Sequence, residues 1–459
     1  MKNLSCFKTY DIRGEIDVNI DESIVYRISR ATSQHFAAKS IVVGFDARKT
    51  SPVYASAAAK AIQDSGSDVI NIGLAGTEEM YWAVSKFKAC AGIIITASHN
   101  PINYNGMKIV KSGSQPLCQE TDLKIIKRLS EKEKFTSAKI RGKVIDSSVE
   151  ARSAYSEQVL SFIDLNALKP LKIVVNSGNG AAGPTFDAIA QRLSVANVPI
   201  DFIRINHTPD HSFPNGIPNP LLPKNHLATA KVVKEVQADF GIAFDGDFDR
   251  CFFFDGNGRF VKGEFIVGLL AEIFLQREAG ARIVHDPRIV WNIQNIVDRK
   301  DGIAVQSKTG HAFIKQTMRK HRAIYGGEMS AHHYFRDFAY CDSGMIPWLL
   351  IVELVSKSGF RLEDLVEERF TLFPSSGETN FYVENVGEAI DRVLAAYRTK
   401  AVSLDNTDGV SLVFTSWRLN LRSSNTEPLL RLNIEGRGNA NLIQAKVTKI
   451  AKIIGGEIV

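Results

Sequence analysis

The sequence has no hydrophobic run long enough to span a bilayer. Its longest strongly apolar stretch, Ile346 to Val355, contains Pro347 and Glu353 and falls well short of the roughly 20 residues a membrane helix needs. Cysteines are few: Cys6, Cys90, Cys118, Cys251 and Cys341 are an odd number without C-x-x-C spacing, which argues against a disulfide framework or a zinc site. The N-terminus, Met1 to Asp11, carries Lys2 and Lys8 but no apolar core, so export is not expected and a reducing cytoplasm is the simplest setting. An excess of one charge is also missing. Lys and Arg number 56 against 50 Asp and Glu, a net charge of +6 over 459 residues, and the basic residues do not alternate with aromatics. Such a charge is too dilute to imply a nucleic-acid partner, so none is expected, and it leaves anionic small molecules open. What is present is ordinary globular composition, 44% hydrophobic and 23% charged, at a length for about three domains.

Three segments share one local grammar, a β-branched run followed by a turn and a helical stretch: Ser40 to Asp46, Leu171 to Ser177 and Ala281 to Pro287. Their starts lie 131 and 110 positions apart, which points to three α/β units of one kind. The Lys- and Glu-rich run from Leu123 to Lys143 reads as a solvated helix face and a linker. Asp255-Gly-Asn-Gly258 reads as a hairpin turn. Beyond Phe360 the pattern changes to short alternating strands framed by helices over Val386 to Tyr397 and Ala440 to Ile453, an α+β domain with an antiparallel sheet. The expected division is therefore 1–147, 148–251, 252–362 and 363–459.

Five stretches could carry chemistry. In Gly92-Ile-Ile-Ile-Thr-Ala-Ser-His-Asn-Pro101 a buried strand exits into a turn at Ser98 and His99, the end at which open α/β sheets place ligands. Adjacent residues on extended chain face opposite sides, so His99 is not expected to deprotonate Ser98 directly, and a Ser-capped turn stays an alternative. Asp245, Asp247 and Asp249 follow a strand at i, i+2 and i+4; on extended chain they would share one side and repel unless a cation, Mg²⁺ or Ca²⁺, sits among them. The bland alternative is a solvated acidic loop. Gly178-Asn-Gly-Ala-Ala-Gly183 has the dinucleotide-binding spacing, but Asp201, the acid at the right distance, begins a strand rather than ending one, and a tight turn with close helix packing explains the glycines equally. Gly326 to Tyr334 gathers carboxylate, hydroxyl and imidazole groups suited to a polyol or to a hydrogen-bonded turn. Leu421 to Pro428 gathers a guanidinium, hydroxyls and an amide suited to phosphate or to an N-capping loop.

In this order the motifs resemble the α-D-phosphohexomutase family, and within it the bacterial phosphomannomutases. The resemblance runs from Tyr10-Asp-Ile-Arg-Gly14 to Asn425-Thr426. It comprises the phosphoserine loop Thr96 to Pro101, the metal loop Asp245 to Arg250, the sugar loop Gly327 to His332, and the phosphate loop Arg422 to Pro428. One departure is Ala331, where the sugar loop often has Gly.

The resemblance implies three similar α/β domains with mixed sheets and a smaller C-terminal α+β domain around a central cleft. It also implies interconversion of mannose 6-phosphate and mannose 1-phosphate through a phosphoserine enzyme and a hexose 1,6-bisphosphate, the latter also the activator. Phosphoglucomutase or dual activity is the alternative, and an NAD(P)-dependent oxidoreductase the distant one. By the same resemblance Ser98 carries the phosphoryl group and, with Asp245, Asp247 and Asp249, holds one Mg²⁺. Arg13, Tyr10 and Arg250 stand beside it, with Lys108 and His99 handling protons. Arg288, Lys308, His311, Glu328, Ser330 and His332 line the sugar wall, and Arg422, Ser424, Asn425 and Thr426 anchor the distal phosphate. The implied partner is a hexose phosphate, without nucleic acid or membrane, in a cytoplasmic monomer or homodimer serving GDP-mannose and polysaccharide synthesis.

Overall fold

The computed structural model describes residues 4–423 and 429–459. The chain forms two compact units, residues 1–260 with 337–359, and residues 261–336 with 360–459.

The first unit contains two sheets of one plan. In the first, the strand Ser40–Phe45 lies between Asp68–Leu74 and Ala91–Ile95, parallel to both, and Tyr104–Lys111 adds antiparallel beyond Ala91–Ile95. In the second, Leu171–Asn176 lies between Ile200–Ile205 and Phe240–Phe244, again parallel to both, and Cys251–Asp255 adds antiparallel beyond Phe240–Phe244. Ile93, Ile94 and Ile95 are fully buried, as expected of a strand covered on both faces. Helices form where caps and apolar spacing agree. In Glu22–His35, for example, the Asp21 carboxylate accepts the Ile24 N–H at 2.7 Å.

The second unit repeats the plan once more. Arg282–His285 lies between Ile303–Gln306 and Tyr325–Gly327, parallel to both, with His333–Phe335 antiparallel beyond. The three segments of common grammar are thus the equivalent strand of three repeats. Each repeat runs first strand, second strand, third strand and antiparallel fourth strand, and each turn from third to fourth strand carries one expected functional loop. The C-terminal sheet is different: Ser375–Tyr382, Val410–Val413, Trp417–Ser423 and Leu429–Gly436 pair antiparallel, beside helices Val386–Tyr397 and Ala440–Ile454. Its core gathers Phe381, Leu419, Leu432 and Ile450.

Two linear boundaries differ from this arrangement. The expected break at 251 falls inside the second sheet, because Cys251 pairs with Phe244. Helix Met345–Ser358, placed with the third domain by sequence order, packs in the first unit. Trp348 meets Phe186 with ring centroids 5.3 Å apart, and the Glu353 carboxylate accepts the Asp164 N–H at 3.0 Å.

Candidate functional site

Ser98 sits at the turn from Ala91–Ile95 to Tyr104–Lys111, with φ of 49°. This left-handed backbone differs from the extended chain expected there, and it changes the neighbourhood of the hydroxyl. His99 folds back so that its Nδ1 lies 3.1 Å from Ser98 Oγ. The inference that the two side chains diverge is corrected by that turn. The Ser98 hydroxyl also donates to Asp245 Oδ2 at 2.8 Å. Arg250 donates to the same Asp245 oxygen at 2.7 Å and to His99 Nδ1. Burial, then the Arg250 and Arg13 guanidiniums, hold the His99 imidazole well below its ordinary pKa, so it is neutral and accepts on Nδ1. Arg13 donates to the Ala97 carbonyl at 3.1 Å and to the Asn100 side chain. Tyr10 lies in the bend just before the strand Ile12–Glu15, which carries Arg13.

The three aspartates occupy the equivalent turn of the second repeat. Phe248 has φ of 44°, so the loop turns rather than extends. The turn still brings oxygens of Asp245, Asp247 and Asp249 within 4.8 Å of one another. Lys108 bridges two of them, with Nζ 2.7 Å from Asp247 and 2.5 Å from Asp249. Burial, and then the charges of Asp247 and Asp245, push the Asp249 carboxyl up to about 8 despite Lys108. Burial works to raise Asp247 as well, but Lys108 and the Thr77 and Ser98 hydroxyls hold it below the usual carboxylate range. Asp247 Oδ1 is buried and has no hydrogen-bond partner among the described residues. An all-oxygen donor set with an orphaned carboxylate oxygen and mutual repulsion fits a hard divalent cation such as Mg²⁺. Gly246 permits the close approach of the two loops, since a Cβ there would stand 2.5 Å from the Ser98 carbonyl oxygen.

The second unit holds the other constellation. Glu328 and His332 lie in the turn of the third repeat. Glu328 accepts the Gly310 N–H at 2.8 Å and the Tyr334 hydroxyl at 2.5 Å, while His332 Nδ1 is 3.7 Å away. Ser330 Oγ lies 3.3 Å from His332 Nδ1. Arg288 donates to Asp286 at 2.6 Å and stands 3.7 Å from Glu328. Ala331 adopts φ of 66°, the conformation that makes Gly natural at this place in the motif. Arg422 donates to Glu378 at 3.1 Å, and Arg288 approaches the same carboxylate at 3.4 Å. Glu378 is therefore where the C-terminal sheet meets the third repeat.

The structure thus joins Ser98, His99, Arg13, Lys108, Arg250 and the three aspartates in one unit, and Arg288, Glu328, Ser330, His332 and Arg422 in the other. Lys308 is exposed, its ammonium over the Phe313 ring, and His311 opens helix His311–His321. Ser424, Asn425 and Thr426 lie outside the described residues. Sequence reasoning missed Thr77, Glu378, Asp286 and Tyr334. Asp286 had a local signal, as an acid two residues before Arg288, and Tyr334 closes the polar stretch Gly326 to Tyr334; Thr77 and Glu378 had none. The glycines of Gly178 to Gly183 serve packing: a Cβ on Gly183 would stand 2.1 Å from the His207 carbonyl oxygen, and the Ala181 N–H donates to Gly246. No helix among the described residues is long and apolar enough to cross a membrane.

Comparison with known proteins gives this geometry its class. Family models described as phosphoglucomutase/phosphomannomutase match as alpha/beta/alpha domain I over residues 5–136, domain II over 153–258, domain III over 262–373, and the C-terminal domain over 378–453. The chain belongs to the phosphoglucomutase/phosphomannomutase family of enzymes. A phosphomannomutase from Salmonella montevideo is 52% identical over 454 residues, 99% of this chain and 100% of its own length. One from Vibrio cholerae is 50% identical over 460 residues, 99% of each chain. A protein named phosphohexose mutases from Xanthomonas campestris pv. campestris is 51% identical over 453 residues, 99% of this chain and 100% of its own. Among solved structures, a phosphoglucomutase/phosphomannomutase family protein from Burkholderia thailandensis has a TM-score of 0.86 at 29% identity, with 100% of both chains covered. The Paramecium phosphoprotein pp63/parafusin shares the fold, with a TM-score of 0.76 at 17% identity over 97% of this chain and 95% of its own.

Proposed function

We propose that this enzyme interconverts mannose 6-phosphate and mannose 1-phosphate through a phosphorylated Ser98. The observation that carries the reading is the Ser98 hydroxyl, 2.8 Å from Asp245 and backed by two further buried carboxylates. In the first transfer the Ser98 Oγ–P bond breaks as a sugar hydroxyl oxygen forms its own bond to phosphorus and gives up its proton to the neutral His99 imidazole. In the second, the Ser98 Oγ–P bond forms again as the bond between the bisphosphate's other sugar oxygen and its phosphorus breaks, and that oxygen takes the proton back. Such transfers pass through a loose transition state, so positioning and positive charge do most of the catalytic work.

Asp245, Asp247 and Asp249 would hold Mg²⁺, which when bound draws charge from the transferring phosphoryl oxygens. Arg250 orients Asp245 and His99. Arg13 braces the serine loop. Glu328, Ser330 and His332 grip sugar hydroxyls, Arg288 holds the wall beneath them, and Arg422 with Ser424, Asn425 and Thr426 takes the distal phosphate. Hexose 1,6-bisphosphate primes the enzyme by phosphorylating Ser98. A cytoplasmic setting follows from such substrates.

A test is Ser98→Ala with Mg²⁺ and glucose 1,6-bisphosphate: turnover disappears, and so does the phosphoryl mass on the intact protein. Full turnover by this variant would falsify the reading. A second reading, activity on both mannose and glucose phosphates, is supported by the Xanthomonas relative, whose name covers hexoses at 51% identity. Mannose and glucose differ at the 2-hydroxyl, whereas Glu328 and Ser330 are assigned to hydroxyls the two sugars share. Comparable kcat/KM for mannose 1-phosphate and glucose 1-phosphate would favour this second reading.

A further inference from the structure

Arg48 is 2% exposed and follows the first strand of the first repeat. Both terminal nitrogens of its guanidinium donate to the backbone of the serine loop, while Nε stands 3.6 Å from Asp46 Oδ2. One terminal nitrogen donates to the carbonyls of Pro101 and Tyr104 at 2.8 and 2.9 Å; the other donates to those of Ser98 and Asn100 at 2.9 and 2.5 Å. Asp46 completes the support. Its carboxylate accepts the Arg48 N–H at 3.0 Å and the Ser51 hydroxyl at 2.6 Å, and its own N–H donates to Ile95 at 3.0 Å.

The repeats show that this is a device of the fold. In the third repeat Asp286-Pro-Arg288 occupies the place of Asp46-Ala-Arg48. The Arg288 N–H donates to Asp286 at 2.8 Å, and Asp286 in turn accepts the Met329 N–H of the functional loop at 3.1 Å. In the second repeat the corresponding loop supports its partner through the Ala181 N–H on the Gly246 carbonyl, 3.1 Å. In all three, the turn after the first strand holds the turn after the third.

We propose that Arg48 is a positioning residue for phosphoryl transfer. It binds four carbonyls of one turn and so fixes Ser98 in its left-handed conformation, with Oγ aimed at Asp245. This rests on the reading of Ser98 as the phosphorylated residue. A planar fork can engage four carbonyls at once, whereas an ammonium in its place is a point donor that cannot reproduce the fork. Displacing a reacting atom by about 1 Å costs on the order of 100-fold in rate.

The experiment uses the full chain as wild type, Arg48→Lys and Arg48→Met, each treated with glucose 1,6-bisphosphate and Mg²⁺. Intact mass reports Ser98 phosphorylation, and rapid quenching reports transfer from the phosphoenzyme to mannose 6-phosphate. Both variants should lose about 100-fold in transfer rate and kcat while KM for mannose 1-phosphate stays near wild type, because the sugar and distal-phosphate residues are untouched. Arg48→Lys keeps a cation beside Asp46 and decides the matter if Arg48→Met does not fold. A wild-type transfer rate in Arg48→Lys, or a raised KM with unchanged kcat, overturns the positioning role. A wild-type protein that takes no phosphoryl group on Ser98 removes the underlying reading, and this role with it.

Discussion

Removing one hydroxyl at Thr77 should weaken the cation site by one to two orders of magnitude without touching a carboxylate. Thr77 opens helix Thr77–Lys86. Its N–H donates to the Asp247 carbonyl at 3.1 Å, and its hydroxyl to Asp247 Oδ2 at 2.5 Å. Both residues are fully buried. Thr77→Val keeps the shape and the backbone contact and deletes the side-chain bond alone. A hydrogen bond to a buried charge contributes about 1.5–3 kcal/mol, and partners that orient metal ligands contribute about 10- to 100-fold in metal affinity. Lys108 remains 2.7 Å from the same oxygen, so the carboxylate keeps a partner while losing the one that fixes its plane. Calorimetric titration should show the Mg²⁺ Kd raised about 10- to 100-fold, with kcat at saturating Mg²⁺ near wild type and Thr77→Ser close to wild type throughout. An unchanged Kd in a folded Thr77→Val protein, or an equal loss in Thr77→Ser, would refute the reasoning.

Three other outcomes are expected. Gly246→Ala places a Cβ 2.5 Å from the Ser98 carbonyl oxygen; the two loops must separate, and turnover should fall by about 100-fold in a protein that still melts cooperatively. In the dephosphorylated site Arg250, Lys108 and Arg13 face the three aspartates. A phosphoryl group on Ser98 adds about −1.5 to −2 of charge, so Mg²⁺ should bind at least about tenfold more tightly to phosphorylated than to phosphatase-treated protein, and equal Kd values would contradict this. His333 is fully buried beside Tyr325, and burial lowers its pKa to about 3 from the usual 6.5. The unfolded chain takes up this proton near pH 6.5 and the folded chain only near pH 3, so the native state loses stability as pH falls through that window, by about 2 kcal/mol at pH 5. Denaturant titrations at pH 8 and pH 5 should therefore show a smaller acid loss in His333→Phe than in wild type.

The parts of the molecule legible in sequence were those whose cause is local. The isoleucines before Ser98 specify a doubly covered strand, and the shared grammar at Ser40, Leu171 and Ala281 marks the equivalent strand of each repeat. The aspartates were also found, although the reason given for their convergence was an extended chain and the actual one is a turn at Phe248. The supporting residues were not legible, because their partners are remote. Thr77 meets Asp247 across 170 residues, Arg48 meets Ser98 across 50, and Glu378 meets Arg422 across 44. Nothing near these residues in the chain marks the partner. Helix Met345–Ser358 escaped for the same reason: its composition specifies a buried helix and says nothing of which sheet buries it.

Each functional loop joins a parallel strand to its antiparallel successor, at Ile95 and Met107, Phe244 and Cys251, and Gly327 and His333. In each case the two strands pair with one another up to the base of the loop. Ser98, the three aspartates and the Glu328 turn thus occupy the same place in three repeats of one plan, where a change of side chains leaves the pairing of the adjoining strands in register. A designer wishing to change what this enzyme binds has the same three turns to work with.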